Sequence, residues 1–157
     1  MDADGQHPAA MIPQFMALSR QHPAAMILGL PIFDSAAPRL RVLGRRVSNV
    51  LAKLETGGAI GDSLFGFRVY PIAALMTVME GSRWMRRFDF DVEAAVRLCW
   101  CGVPAINVPA PVRYLRPEEG GVSHFRYGRD NALLAAMHAR LLLACLTRRP
   151  RLSSSRH

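Results

Sequence analysis

Apolar residues in this chain come in short runs, each cut by a proline, a glycine or a charge. Ala24 to Leu30 lies between Pro23 and Pro31, too short for a helix, and is expected to form a buried strand. Phe67 to Tyr70 is a second short strand. Ala105 to Tyr114 alternates apolar residues around Pro109 and Pro111, which suits a strand at a sheet edge, where missing N–H donors are tolerated. Between these runs the spacing turns helical. Pro8 to Arg20 carries Met11, Ile12, Phe15, Met16 and Leu18 at nearly helical intervals. Leu40 to Leu54 reads as a basic amphipathic helix, with Val42, Leu43, Val47, Val50, Leu51 and Leu54 inside. Its outer face then holds Arg41, Arg45, Arg46, Ser48 and Lys53, and Thr56-Gly57-Gly58 stops it. Pro71 to Glu80, a segment from Phe88–Glu93 to Cys101, and Asn131 to Thr147 complete the helices. Strands interspersed with helices, without an internal repeat, make this a mixed α/β chain whose 157 residues suit one core.

Composition narrows the function classes. Net charge is +8, and Lys53 is the only lysine, so the positive charge is almost all arginine. Arginine favours bidentate contact with phosphate or carboxylate and points to an anionic partner, although a GC-rich genome yields the same bias. A nucleic-acid partner is not expected: aromatics are 8% and do not interleave with the basic residues. Cys99, Cys101 and Cys145 cannot all pair within one chain and are expected to be reduced core thiols. The first residues lack the basic-then-apolar pattern of a signal peptide. The richest apolar stretch, Ala132 to Leu146, is broken by His138 and Arg140, so no membrane span is expected and the chain is placed in the cytoplasm.

Asp2 and Asp4 stand two residues apart at the start. In an extended segment such residues point to one side, where two carboxylates and a bound diphosphate can share a hard divalent cation. Alone, the pair is a weak signal, and an exposed acidic terminus is the default reading. It is followed in order by Gly61-Asp62-Ser63-Leu64-Phe65-Gly66-Phe67-Arg68, Phe88-Asp89-Phe90-Asp91-Val92-Glu93, Val108-Pro109-Ala110-Pro111-Val112-Arg113-Tyr114 and Gly121-Val122-Ser123-His124-Phe125-Arg126. Together with Asp2-Ala3-Asp4-Gly5-Gln6-His7, this series resembles glycosyltransferase family 2, on its dolichyl-phosphate-mannosyltransferase-like side, up to about Arg126.

The resemblance implies the C-terminal part of a GT-A fold, a mixed sheet with flanking helices, with a nucleotide-binding half expected before the D-x-D segment. On this division 1–130 is the metal and acceptor side, 131–147 a terminal helix and 148–157 a basic tail expected to be disordered. The implied reaction moves a sugar, with inversion, from a nucleotide-diphosphate sugar to a lipid or lipid-phosphate acceptor at the cytoplasmic face of a membrane. Asp2 and Asp4 would hold manganese or magnesium, which stabilises the leaving diphosphate. Gln6, Ser123, His124 and Arg126 would bind the donor diphosphate. Asp91 is the implied base that deprotonates an acceptor hydroxyl, with Glu93 as the second candidate. A simpler role for Asp89 and Asp91 is to favour a helix N-terminus. Asp62, Arg45, Arg46 and Ser48 fall on the acceptor side, although for the last three a solvated basic helix face is the readier account. Trp84 and Trp100 are expected in the core or an interface. The terminal helix, followed by Arg148, Arg149 and Arg151, either lies on an anionic bilayer or packs against other protein. The competing function is a non-catalytic remnant or interaction fragment.

Overall fold

A computed structural model describes residues 7, 9–33, 39–82, 89–112 and 127–147. The described elements run α1 (Ile12–Gln21, after a 3-10 turn at Ala9–Met11), β1 (Met26–Phe33), α2 (Arg39–Thr56), β2 (Arg68–Val69), α3 (Ile72–Glu80), α4 (Phe90–Trp100), β3 (Ala105–Val112) and α5 (Tyr127–Thr147). They make an α/β fold around a three-stranded mixed sheet ordered β2-β1-β3. β1 pairs antiparallel with β2, where Ile27 faces Val69, and parallel with β3 from Met26↔Ala105 to Phe33↔Val112.

The central position of β1 explains its composition. Met26, Ile27 and Leu28 are fully buried, and they alternate between two cores. Met26 and Leu28 face the core built with α3, α4 and α5 through Leu75, Val78, Val92, Val96, Leu98, Leu134, Met137 and Leu141. Ile27 faces the other core with Phe15 of α1, Phe65, Phe67, Val108, Ala110 and Val112. Each such side chain contributes roughly 1.5–3 kcal/mol of burial. The strand does not stop at Pro31: it runs on to Phe33, with Pro31 opposite Ala110. Pro109 and Pro111 lie on β3, whose only described neighbour is β1, so the edge assignment for that strand agrees with the sheet order.

Two sequence expectations need correction. α5 begins at Tyr127, four residues before the expected start at Asn131. More consequential is the rotation of α2. Val47, Val50 and Leu54 are 58%, 57% and 67% exposed, whereas Ser48, Ala52 and Glu55 are buried. The amphipathic pattern assigned the apolar stripe inward; the helix instead turns a hydrogen-bonded polar face to the protein. This is allowed because the Ser48 hydroxyl and Glu55 Oε1 find partners there, which offsets most of the cost of burying polar groups; Glu55 Oε2 alone on this face has none among the described residues.

The cysteines are free, but they are not all core residues: Cys101 is exposed and Cys99 and Cys145 are half-buried. Burial pushes the Cys99 thiol up to about 11, from 9.0. At neutral pH its thiolate fraction should then be roughly 100-fold below that of an unshifted thiol. Timed alkylation with mass-spectrometric mapping should modify Cys101 first and Cys99 far more slowly; equal rates would contradict the burial of Cys99. The described helices include none long and apolar enough to cross a membrane.

Candidate functional site

The Asp62 loop sits between α2 and β2. Asp62 is buried, and three donors reach its carboxylate. Arg45 Nη1 donates to Oδ1 at 2.6 Å, the Leu64 N–H to Oδ1 at 3.0 Å, and Asn49 Nδ2 to Oδ2 at 2.8 Å. The Leu64 contact is an Asx-turn, in which a short carboxylate closes on the backbone two residues later. The Arg45 guanidinium also lies 5.1 Å from the centre of the Phe33 ring. Arg45 is therefore a partner of Asp62 and not part of a solvated basic face, while Arg46 remains exposed. Ser48, expected outside, is 5% exposed and touches both Ser63 and His138.

Arg68 ties this loop to α4. Its Nε donates to the Phe65 carbonyl at 2.7 Å, and Nη2 donates to the Ser63 carbonyl at 2.6 Å and the Asp62 carbonyl at 3.4 Å. Nη1 donates to the Asp91 carbonyl at 2.6 Å and to Tyr70 Oη at 3.1 Å. The loop is thus wrapped around one planar cation, whose fork geometry can serve several carbonyls at once. Desolvation pulls the Arg68 pKa down, but Tyr70, Asp91 and Asp62 outweigh it and hold the group above its ordinary value. Desolvation raises the Tyr70 pKa, Arg68 opposes that, and Asp91 adds to it, leaving the phenol higher than usual. Tyr70 therefore remains a donor, its one hydrogen shared between Asp91 Oδ1 at 3.4 Å and the Asp91 carbonyl at 3.3 Å.

Asp91 lies in the first turn of α4 and is half-buried. Asp89 occupies the N-cap position, where its side chain makes no capping bond. Glu93 differs sharply from Asp91: it is 0% exposed. Arg97 Nε and Nη2 reach Glu93 Oε1 at 2.8 and 2.7 Å, Ser82 Oγ donates to the same oxygen at 3.2 Å, and Arg140 Nη2 reaches Oε2 at 3.2 Å. Glu93 joins α4 to α5 and has little freedom for proton transfer. Trp100 is half-buried against the core and donates Nε1 to the Glu55 carbonyl at 2.7 Å.

The structure therefore brings Asp62, Arg45 and Ser48 into one hydrogen-bonded group and couples that group to Asp91 through Arg68. Asp2, Asp4, Gln6, Ser123, His124, Arg126, Trp84 and the basic tail lie outside the described residues. His7, which follows the D-x-D segment, packs edge-on against Phe65 with ring centres 4.8 Å apart. Among the described residues no group of three or more His, Cys, Asp or Glu could hold a metal. Gly29 is fitted to the loop: a Cβ there would meet Phe65 Cδ1 at 2.6 Å and the Phe67 carbonyl at 2.9 Å. The sequence pattern does not single out Asn49, Tyr70, Glu55 or His138 as site residues. The available signals were a lone histidine in an apolar helix and a Ser48–Glu55 pair spaced to share one helical face. Comparison of the chain with protein-family models, curated proteins and solved structures gives no match.

Proposed function

We propose that the chain is the metal and acceptor side of a GT-A glycosyltransferase, acting on a nucleotide-diphosphate sugar and a lipid or lipid-phosphate acceptor. The observation that carries this reading is the clasp between two separate motifs. Arg68 and Tyr70, from the stretch that begins at Gly61, hold the backbone and carboxylate of Asp91. A carboxylate kept half-exposed, with one oxygen oriented by a phenol, suits a general base for an acceptor hydroxyl. Asp91 is that base in this proposal, and Glu93, engaged by Arg97 and Arg140, is the scaffold beneath it. Asp62 shapes the acceptor loop. Asp2 and Asp4 carry the metal-binding part on sequence grounds alone, as do Gln6, Ser123, His124 and Arg126 for the donor diphosphate. A manganese or magnesium ion there would neutralise the leaving diphosphate. The deciding experiment is transfer from a nucleotide sugar by the full chain, compared with its Asp91→Asn variant.

The lipid part of the proposal is supported by α2. Val47, Val50 and Leu54 form one exposed stripe, and Arg46 and Lys53 are exposed beside it. An apolar stripe flanked by cations suits an anionic bilayer surface. Replacing the three apolar residues by serine should weaken binding to phosphatidylglycerol vesicles about tenfold or more. Unchanged sedimentation with vesicles would remove the membrane from the proposal. The same stripe, with exposed Ile72 and Met76 on α3, favours the second reading, a non-catalytic interaction fragment. Binding of a nucleotide sugar with manganese separates the two.

A further inference from the structure

Ser48, His138 and Glu55 have the spacing of a nucleophilic relay. His138 Nε2 lies 2.8 Å from Ser48 Oγ, and Nδ1 lies 2.8 Å from Glu55 Oε1. All three residues are buried, and Glu55 Oε2 has no partner, so Glu55 holds the imidazole through one oxygen. Distances alone do not decide which way the hydrogens point; counting donors does.

The count starts at Asn49. Its Nδ2 faces the Asp62 carboxylate, and its Oδ1 accepts from the Ser63 N–H at 2.8 Å. Reversing the amide would oppose oxygen to carboxylate and N–H to N–H, so its orientation is fixed. Ser63 Oγ lies 2.8 Å from that same Oδ1 and must donate its one hydrogen there. Ser63 is then the acceptor in its 2.9 Å contact with Ser48, which uses the one hydroxyl hydrogen of Ser48. Ser48 can only accept from His138, so Nε2 bears a hydrogen. At the other side of the ring a single proton is shared between Nδ1 and Glu55 Oε1. From Nε2 to Asp62 every bond points the same way, and aligned bonds reinforce one another.

We propose that His138 is a positioning residue that keeps a hydrogen on Nε2 and completes, through Ser48, Ser63 and Asn49, a one-way chain of hydrogen bonds that ends at Asp62. Two consequences follow. Ser48 is not an activated nucleophile, because the nitrogen facing it has no lone pair to receive a proton. α5, which carries His138, supplies the donor at the far end of a chain that finishes on a loop carboxylate distant in sequence. That Asp62 serves acceptor transfer rests on the transferase proposal; the direction of the hydrogens does not.

The test is a long-range proton–nitrogen correlation of the histidine rings in the labelled full chain at neutral pH. His138 Nε2 is expected to be protonated, and in Glu55→Gln, whose amide can donate to Nδ1, the ring should be the neutral Nε2–H form. A bare Nε2 in the native chain overturns the proposal. Hydrogen exchange at the Asn49 side-chain amide supplies the second measurement. It should accelerate about tenfold in His138→Asn, which lacks an atom at the Nε2 position, and stay near native in His138→Gln, which restores a donor there. Equal behaviour of the two variants overturns positioning through Nε2. The expected ring state without any sugar transfer leaves the chain of bonds standing and removes the transferase proposal instead.

Discussion

Asp91→Asn should lower turnover on a hydroxyl acceptor about 10²–10⁴-fold, the usual contribution of a positioned base. Donor affinity should stay nearly native. Asparagine is the informative replacement because it keeps an oxygen for the Tyr70 hydroxyl, and because the short bond from Arg68 goes to the backbone carbonyl of residue 91, which the substitution leaves in place. The variant should therefore fold like the parent, and a lower rate would report the missing basic oxygen. Steady-state kinetics together with nucleotide-sugar binding make the distinction. Near-native turnover on a hydroxyl acceptor would remove Asp91 as the base. On a phosphate acceptor, already ionised, no base is required, so a large effect there would have to come from orientation.

The parts of the fold visible in sequence are those set by local chemistry. β1 is legible because its apolar run is buried on both faces, and α4 because its apolar body runs to Gly102, where φ is +83°. The rotation of α2 is not legible. Its apolar stripe gives the stronger amphipathic signal, yet the face turned inward is chosen by long-range partners. Ser48 and Glu55 meet His138 on a helix about ninety residues later, and Arg45 meets Asp62 across a turn. No window of local periodicity contains those pairs. His138 and Arg140 look like interruptions of an apolar helix. In the structure they join α5 to α2 and α4, through Glu55 and Glu93. For the candidate site, the motif order singles out Asp62 and Asp91 and includes Arg68 at the end of the acceptor-side run, but not its role as the cation between them, because Arg68 acts through backbone carbonyls, and a carbonyl has no sequence signature.

Arg68→Ala should destabilise the chain by about 3 kcal/mol, the scale expected when charge-assisted hydrogen bonds are lost and buried carbonyls are left unpaired. For a chain of this size that corresponds to a fall in melting temperature of about 6–12 °C, readable by circular dichroism. Arg68→Lys is the sharper variant. It keeps the charge that Asp91 and Asp62 favour, but an ammonium cannot reach the Phe65, Ser63 and Asp91 carbonyls as a planar fork does. Lysine is therefore expected to recover less than half of the loss; full recovery would mean that charge alone, and not the fork, holds the loop. The two aspartate-linked substitutions then separate scaffold from chemistry. Arg68→Ala loosens the Asp62 loop and the start of α4 together, so stability and any transfer activity should fall in parallel. Asp91→Asn leaves every Arg68 bond to a carbonyl intact and should reduce activity at nearly constant stability. A transferase in which both substitutions cost stability equally would place Asp91 in the scaffold with Arg68, and the base would have to be sought elsewhere.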